Sequence, residues 1–134
     1  MKVFLTLVAM LLCVAALGVS IRFDDLYRVE RYSDLPLLMP QGIGWESKAV
    51  FNPTAIVVDS IVHMFYRSED WSGVGRWNGT SRIGKATSSD GFDFTREASP
   101  AIEPTETYEL PGGCEDPRIV RVDDLYIMTY TGYD

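Results

Sequence analysis

The chain contains two Asx-Pro pairs, Asn52-Pro53 and Asp116-Pro117. The carboxylate of Asp116, which has Glu115 and Arg118 nearby, could act as a general acid or as a ligand for a polar substrate. Proline restricts the residue before it, so both polar residues are predicted to be extended at the head of a strand. The alternative interpretation is structural: an Asp-Pro pair that only begins a strand.

The elements that must position these residues are predicted to be β-hairpins. Runs rich in β-branched and aromatic residues flank polar turns, which predicts strand pairs at 55–58 with 61–67 and at 119–122 with 125–131. A third pair, 81–88 with 92–96, flanks Asp90-Gly91, a dipeptide typical of type I′ turns because these turns need positive φ. No segment after residue 21 keeps an apolar period of 3.6 residues long enough to predict a helix.

Two of the predicted hairpins resemble each other. Residues 52–66 and 116–130 share a polar residue before proline, a strand, an Asp-led turn and a returning strand with Met-x-Tyr, at an offset of 64 residues. With the middle hairpin between them, each repeat holds four strands, which is typical of a propeller blade. The first strand of each blade lines the central channel, so Asn52 and Asp116 are predicted to face one pocket. A generic antiparallel sandwich is the alternative.

Composition narrows the class of protein. The 134 residues are 46% hydrophobic, and 12 basic against 19 acidic residues give a net charge of −7. The apolar content is too high for a disordered chain, and the acidic balance argues against nucleic acid and against an anionic membrane surface. His63 is the only histidine, so the sequence holds no Cys/His cluster for zinc, and no metal site is predicted.

The first twenty residues have the pattern of a secretory signal peptide, with Lys2, an apolar run and small residues at its end. This predicts a secreted protein whose mature domain is residues 21–134; an uncleaved signal anchor is the alternative. Asn78-Gly79-Thr80 is a sequon, so Asn78 is a candidate glycosylation site in a eukaryotic secretory route. Cys114 would be the one cysteine left after cleavage, which leaves no internal disulfide.

An ordered set of motifs runs through the rest of the chain. It includes Gly44-Trp45-Glu46, Phe51-Asn52-Pro53, Tyr66-Arg67, Ser81-Arg82-Ile83-Gly84, Asp90-Gly91-Phe92 and Glu115-Asp116-Pro117-Arg118. Together these motifs resemble the mannoside phosphorylase family, glycoside hydrolase family 130, over roughly residues 23–134. The resemblance implies an all-β fold, the N-terminal blades of an incomplete five-bladed β-propeller. It also implies cleavage of β-mannosides, chiefly β-1,4-linked, by inorganic phosphate to mannose 1-phosphate with inversion, although some members are hydrolases.

The resemblance also assigns roles by position. Asp116 matches the family's catalytic acid, which is thought to pass its proton to the glycosidic oxygen through the 3-hydroxyl of the bound mannose. The implied substrate-binding residues are Asn52, Arg67, Arg82, Glu115 and Arg118. A solvated or strand-edge position is the alternative for Arg67 and Arg82. Inorganic phosphate is the implied co-substrate, and no other cofactor is implied.

The sequence departs from the family in what it lacks. The basic residues that clasp phosphate, or the paired glutamates of the hydrolases, are expected from later blades, and the chain stops at Asp134. The expectation is therefore an N-terminal part of a longer product that is poorly stable alone, because blades bury their faces on neighbours. Three functions stay open: an inverting phosphorylase, an inverting β-mannoside hydrolase, and a non-catalytic sugar-binding propeller fragment.

Overall fold

The computed structural model describes residues 31–72 and 78–134, so the predicted signal peptide at residues 1–20 lies outside the described residues. The chain divides into two compact units, Met1–Asp34 and Leu35–Asp134. Of the first unit only residues 31–34 are described, and they lie in no helix or strand. Within the described ranges no helix is long and apolar enough to cross a lipid bilayer. All elements below belong to the second unit.

The second unit is built almost entirely of β-strands. They are β1 (Ala49–Val58), β2 (Ile61–Glu69), β3 (Ser81–Ser88), β4 (Thr95–Arg96), β5 (Gly113–Val122) and β6 (Leu125–Tyr133). Two short 3₁₀ turns, Gly44–Glu46 and Thr107–Glu109, are the only helical segments in the described part of the chain. The all-β prediction is therefore confirmed.

The strands pair in the order of the chain. β1 to β4 pair antiparallel, each with the next, and form a four-stranded unit. β5 and β6 pair antiparallel as a further hairpin, and β5 meets β3 at one parallel position, where Ser81 lies opposite Gly113. β1 and β5 also contact each other, since the Ile119 amide donates to Thr54 Oγ1 at 3.4 Å. The first strands of two successive repeats thus lie together, as the repeat predicts.

All three predicted hairpins are present, but the hairpin at Asp90-Gly91 is not closed by the predicted tight turn. Asp59 and Ser60 have φ of +49° and +65°, and β1 and β2 pair up to Val58 opposite Ile61. At Asp90-Gly91 only the glycine has positive φ, and the paired strands resume at Thr95, so the connection takes six residues. The Asp90 carboxylate accepts hydrogen bonds from the amides of residues 92 and 93, which stabilises this wider loop instead of a type I′ turn.

The residues before the two prolines are not extended, which corrects the prediction for Asn52 and Asp116. Their φ values are +48° and +50°. The strand register shifts between residues 51 and 54 in β1 and between 115 and 118 in β5, so each Asx-Pro pair forms a β-bulge. A bulge needs one residue with unusual backbone geometry, and Asn and Asp tolerate the left-handed region better than other residues with a Cβ. This requirement outweighs the preference for extended backbone before proline.

The core lies between β2, β3 and the 3₁₀ turn at Gly44–Glu46. Tyr66, Ile83, Ala86 and Cys114 are the buried hydrophobic residues among those described. The Tyr66 hydroxyl donates a short hydrogen bond to the buried Glu46 carboxylate, which also pairs with Arg96 of β4. Burial, with the bond to Glu46, raises the pKa of Tyr66 well above its usual range. This buried polar group fixes the turn and β4 against the central strands.

Candidate active site

The two bulges bring Asn52 and Asp116 into direct contact. Asn52 Nδ2 donates a hydrogen bond to Asp116 Oδ1 at 2.7 Å, although the two residues lie 64 positions apart. Both residues have left-handed backbone, which turns their side chains out of the regular strand alternation. The repeat in the sequence therefore corresponds to a pair of equivalent bulges whose polar side chains meet.

Arg67 of β2 connects this pair to Glu115. Its Nη2 lies 2.6 Å from Glu115 Oε1, and its Nη1 lies 3.5 Å from Asp116 Oδ1. The register of β1 and β2 places Arg67 opposite Phe51, and the guanidinium lies over the Phe51 ring at 4.6 Å. The planar fork of an arginine suits such a position, because separate nitrogens can contact separate carboxylates.

Ser81 is a site residue that the sequence patterns do not single out. Its hydroxyl accepts a hydrogen bond from Arg67 Nε at 3.0 Å and lies 3.4 Å from Glu115 Oε1, to which it donates. The only available signal was its place directly before Arg82 in the Ser-Arg-Ile-Gly motif, on the opposite face of β3. We call the set formed by Asn52, Arg67, Ser81, Glu115 and Asp116 the carboxylate cluster.

The two carboxylates of the cluster differ in environment. Burial raises the pKa of Glu115, and although the Arg67 guanidinium lowers it, the neighbouring Asp116 carboxylate raises it again, so the pKa stays above its ordinary value. The Asp116 side chain is 38% exposed, whereas those of Glu115 and Arg67 are each 16% exposed. Asp116 is thus the more accessible carboxylate, while Glu115 lies more deeply against Arg67.

Arg118 lies beside Asp116 in sequence but has a different partner. Its Nη1 donates to the Pro117 carbonyl oxygen at 2.7 Å. The arginine that contacts Asp116 is Arg67, from another strand. The predicted glycosylation site Asn78 is exposed and lies outside the cluster, with its carbonyl oxygen 3.4 Å from Lys48 Nζ.

Arg82 also lies apart from the carboxylate cluster. Its Nη1 contacts Asp70 Oδ2 at 2.6 Å, and its Nε lies 4.0 Å from Glu103 Oε2. Burial alone would raise the pKa of Asp70, but hydrogen bonds from Ser72, Thr80 and Arg82 outweigh it and hold the pKa below its usual range. Of the predicted site residues, the structure joins Asn52, Arg67, Glu115 and Asp116 by direct contacts and places Arg82 in a second polar group.

The chemistry that the cluster can perform is acid catalysis and polar recognition. Asp116 is an accessible carboxylate that an amide donor and a guanidinium hold in place, so it can accept hydrogen bonds from sugar hydroxyls and is oriented for proton exchange with a bound substrate. Within residues 31–72 and 78–134, no group of three His, Cys, Asp or Glu side chains is arranged to hold a metal ion.

Comparison with known proteins identifies relatives of this chain. Residues 23–134 match the model of glycoside hydrolase family 130, described as β-1,4-mannooligosaccharide phosphorylase. Two proteins of Thermoanaerobacter sp. (strain X514) are similar: a 1,2-β-oligomannan phosphorylase, 41% identical over 108 residues, and a β-1,2-mannobiose phosphorylase, 35% identical over 116 residues. The matches cover 79% and 81% of this chain but 36% and 38% of these relatives, so the chain spans little more than a third of their length.

A solved structure shows the same fold. It comes from work on glycoside hydrolases of the GH130 family that target β-1,2 mannosidic linkages in Candida mannan. It is 52% identical, with a TM-score of 0.61 over 67% of this chain and 26% of that chain. Proteins of this family are β-propellers, and the present chain corresponds to part of one. The motifs, the fold and these matches agree, and the chain belongs to glycoside hydrolase family 130, the mannoside phosphorylase family.

Proposed function

We propose that this chain contributes the acid-catalyst half of a β-mannoside-cleaving site whose reaction is inverting phosphorolysis to mannose 1-phosphate. The observation that carries the proposal is the contact of Asp116 with both Asn52 and Arg67 at paired bulges, in a chain of the mannoside phosphorylase family. These contacts orient Asp116 and leave it open to substrate, and the acid role itself follows the position that Asp116 shares with the catalytic acid of the family.

In the proposed reaction, the proton of Asp116 reaches the glycosidic oxygen through a hydroxyl of the bound mannose. The bond between the anomeric carbon and that oxygen breaks, and a phosphate oxygen attacks the anomeric carbon from the opposite face. Because phosphate is already an ionised nucleophile, this route needs no second carboxylate as a base. The products are α-mannose 1-phosphate and the shortened sugar.

The linkage that we propose is β-1,2. The family description names β-1,4-mannooligosaccharides, which is also what the motifs imply. However, the two Thermoanaerobacter proteins and the 52% identical structure are all described with β-1,2-mannosides. The β-1,4 linkage stays a prediction, and both disaccharides belong in the test.

Hydrolysis is the second candidate, favoured by the description of the 52% identical structure in terms of glycoside hydrolases. An inverting hydrolase uses water as the nucleophile and needs a base to activate it. The two reactions are distinguished by their dependence on phosphate. Sugar binding without turnover would support the third possibility, a non-catalytic fragment.

The test is to incubate a full-length protein, which combines this chain with the later blades expected to bind phosphate, with β-1,2- and β-1,4-mannobiose, with and without phosphate, and to follow mannose 1-phosphate by ³¹P NMR. We expect phosphate-dependent cleavage of the β-1,2 disaccharide. Asp116→Asn should lower kcat by about 10²–10⁴-fold, because a positioned acid contributes about that much. Glu115→Gln should be milder, since Glu115 contacts Arg67 and Ser81 on the less exposed side. Near-wild-type kcat for Asp116→Asn would overturn the assignment.

A further inference from the structure

Two cations and three carboxylates lie together at the carboxylate cluster and the adjoining end of β2. Lys48 pairs with Glu69 at 2.9 Å, and Arg67 pairs with Glu115 at 2.6 Å. Asp116 has only a 3.5 Å contact with Arg67, which Glu115 already matches more closely. With every group ionised, the set carries one negative charge in excess, and Asp116 is the carboxylate without a cation of its own. We call these five groups the charge set.

The strands packed around Asp116 and Glu115 add few other charges in the described part of the chain. Glu69 lies 3.9 Å from the Arg67 nitrogen that also contacts Glu115. Arg118, on β5 itself, donates its Nη1 to the preceding carbonyl oxygen. The uncharged residues that β1, β3 and β6 place next to the pair are Asn52, Ser81 and Thr131. The charge set therefore governs whether Asp116 holds a proton.

The two neighbouring carboxylates also repel each other. Burial raises the pKa of Glu115, Arg67 lowers it, and the charge of Asp116 raises it again. Because the interaction between two titrating groups is mutual, an ionised Glu115 disfavours the ionisation of Asp116 by the same free energy. Glu115 thus acts on Asp116 in two ways, directly through its own charge and indirectly by neutralising Arg67.

This charge balance matters for an acid catalyst. A general acid has to keep its proton until the leaving oxygen takes it. A guanidinium without a closer partner would favour the ionised form of Asp116, because an opposite charge within about 4–6 Å stabilises a carboxylate. Arg67 can orient the acid without deprotonating it only if another carboxylate matches its charge.

We propose that Glu115 is a positioning residue that neutralises Arg67, so that Asp116 keeps its proton to a higher pH than it would beside an unpaired guanidinium. This rests on the proposed function, since it takes Asp116 to be the acid. Glu115 acts through Arg67 and through its own charge, and this role needs no contact between Glu115 and the sugar.

The test compares the pH dependence of kcat on mannobiose in the full-length protein for the wild type, Glu115→Gln and Glu115→Asp. The alkaline limb of this profile reports loss of the acid's proton in the enzyme–substrate complex. In Glu115→Gln the limb should move to lower pH by about one unit or more, the size of shift that an opposite charge produces. Glu115→Asp keeps the charge, so its limb should stay near the wild-type position even where kcat itself falls.

Glu97→Gln is the matched control. It makes the same chemical change in the Lys85–Glu97 ion pair, which lies outside the charge set, and it should leave the limb in place. Phosphate ionises alike in all variants, so a difference between their profiles belongs to the protein.

A second measurement does not depend on turnover. In an NMR titration of the Asp116 carboxyl carbon, identified by its loss in Asp116→Asn, the midpoint should lie at lower pH in Glu115→Gln than in the wild type. This shift in a protein that does not cleave mannobiose supports the charge balance and overturns the proposed function. An unchanged midpoint in an active protein overturns the charge balance and leaves the proposed function standing.

The kinetic profiles can also contradict the inference. A limb that stays in place or moves to higher pH in Glu115→Gln overturns it, and so does an equal shift in Glu115→Asp. A KM that rises at every pH while the limb stays in place indicates direct contact between Glu115 and the sugar, and it overturns the inference too.

Discussion

At the scale of single residues, the guanidinium of Arg67 contacts both Glu115 and Asp116, at 2.6 and 3.5 Å, and its Nε contacts the Ser81 hydroxyl. The side chain therefore sets the distance between two neighbouring carboxylates and orients both. A lysine at the same place carries the charge on one nitrogen and has no planar fork, so it cannot keep these three contacts.

Replacing Arg67 by lysine is expected to lower kcat on mannobiose by about 10²-fold, because small displacements of a catalytic group have effects of that size. Arg121→Lys makes the same chemical change at an exposed arginine, whose side chain is 60% exposed, and should leave kcat unchanged. The measurement is a kcat comparison of the two variants at saturating sugar. Equal kcat values in both variants would contradict the role of Arg67.

At the scale of elements, the junction of β3 and β5 depends on a glycine. Gly113 has φ of +109° and lies opposite Ser81, and a Cβ there would lie 2.1 Å from the Ser81 carbonyl oxygen. The close approach of the two strands places the Ser81 hydroxyl near Glu115, two residues after the glycine. The packing of these strands is thus what completes the carboxylate cluster.

Gly113→Ala is expected to lower the free energy of unfolding by about 3 kcal/mol, because the new Cβ meets backbone atoms and the left-handed φ is strained. Gly42→Ala isolates the cost of the strained φ from that of the backbone contact. Gly42 has φ of +73° with no atom within 4 Å of an added Cβ, so the expected loss there is about 1 kcal/mol. Thermal or urea unfolding measures both variants, and similar losses would show that the close contact with Ser81 is unimportant.

At the scale of the whole molecule, several carboxylates stabilise loops through hydrogen bonds that require the ionised form. Amide donors from residues 106 and 105 and the Tyr130 hydroxyl lower the pKa of Glu109. The amides of residues 92 and 93 and the Ser88 hydroxyl lower the pKa of Asp90 to about 2. The bond to Glu109, together with burial, raises the pKa of Tyr130 to about 12.

Stability is therefore expected to fall at both ends of the pH scale. A carboxyl with a lowered folded pKa stabilises the protein above its unfolded pKa of about 4, and this is lost as the pH falls through the folded value. The raised pKa of Tyr130 stabilises the protein below about pH 10, and this is lost as the pH rises toward 12.

The variant that tests this is Glu109→Gln. Its melting temperature should lie below that of the wild type at pH 7, and the difference should shrink as the pH falls toward 2, because the wild-type carboxyl is then protonated too. Asp124→Asn, at a fully exposed carboxylate, should show no such difference. A pH-independent gap between wild type and Glu109→Gln would contradict the role of ionisation.

The local features of the fold could be predicted from the sequence because their causes are local. β-branched runs and polar pairs such as Asp59-Ser60 predict strands and turns from adjacent residues alone. The tight turn predicted at Asp90-Gly91 was wrong because the Asp90 carboxylate accepts hydrogen bonds from two amides and so stabilises a wider loop. The dipeptide alone does not distinguish this loop from a type I′ turn. The extended backbone predicted before Pro117 was wrong because it ignored the strand partner that makes a bulge there.

By itself, the sequence determined the all-β class, the repeat at an offset of 64 residues, the family, and every residue of the carboxylate cluster except Ser81. Only the tertiary structure decided their partners. Arg67 rather than Arg118 contacts Asp116, and Arg82 pairs with Asp70 instead of joining the carboxylate cluster. The physical reason is that strand propensity and turn chemistry act between near neighbours, whereas these contacts depend on strand register and bulges that join residues up to 64 positions apart.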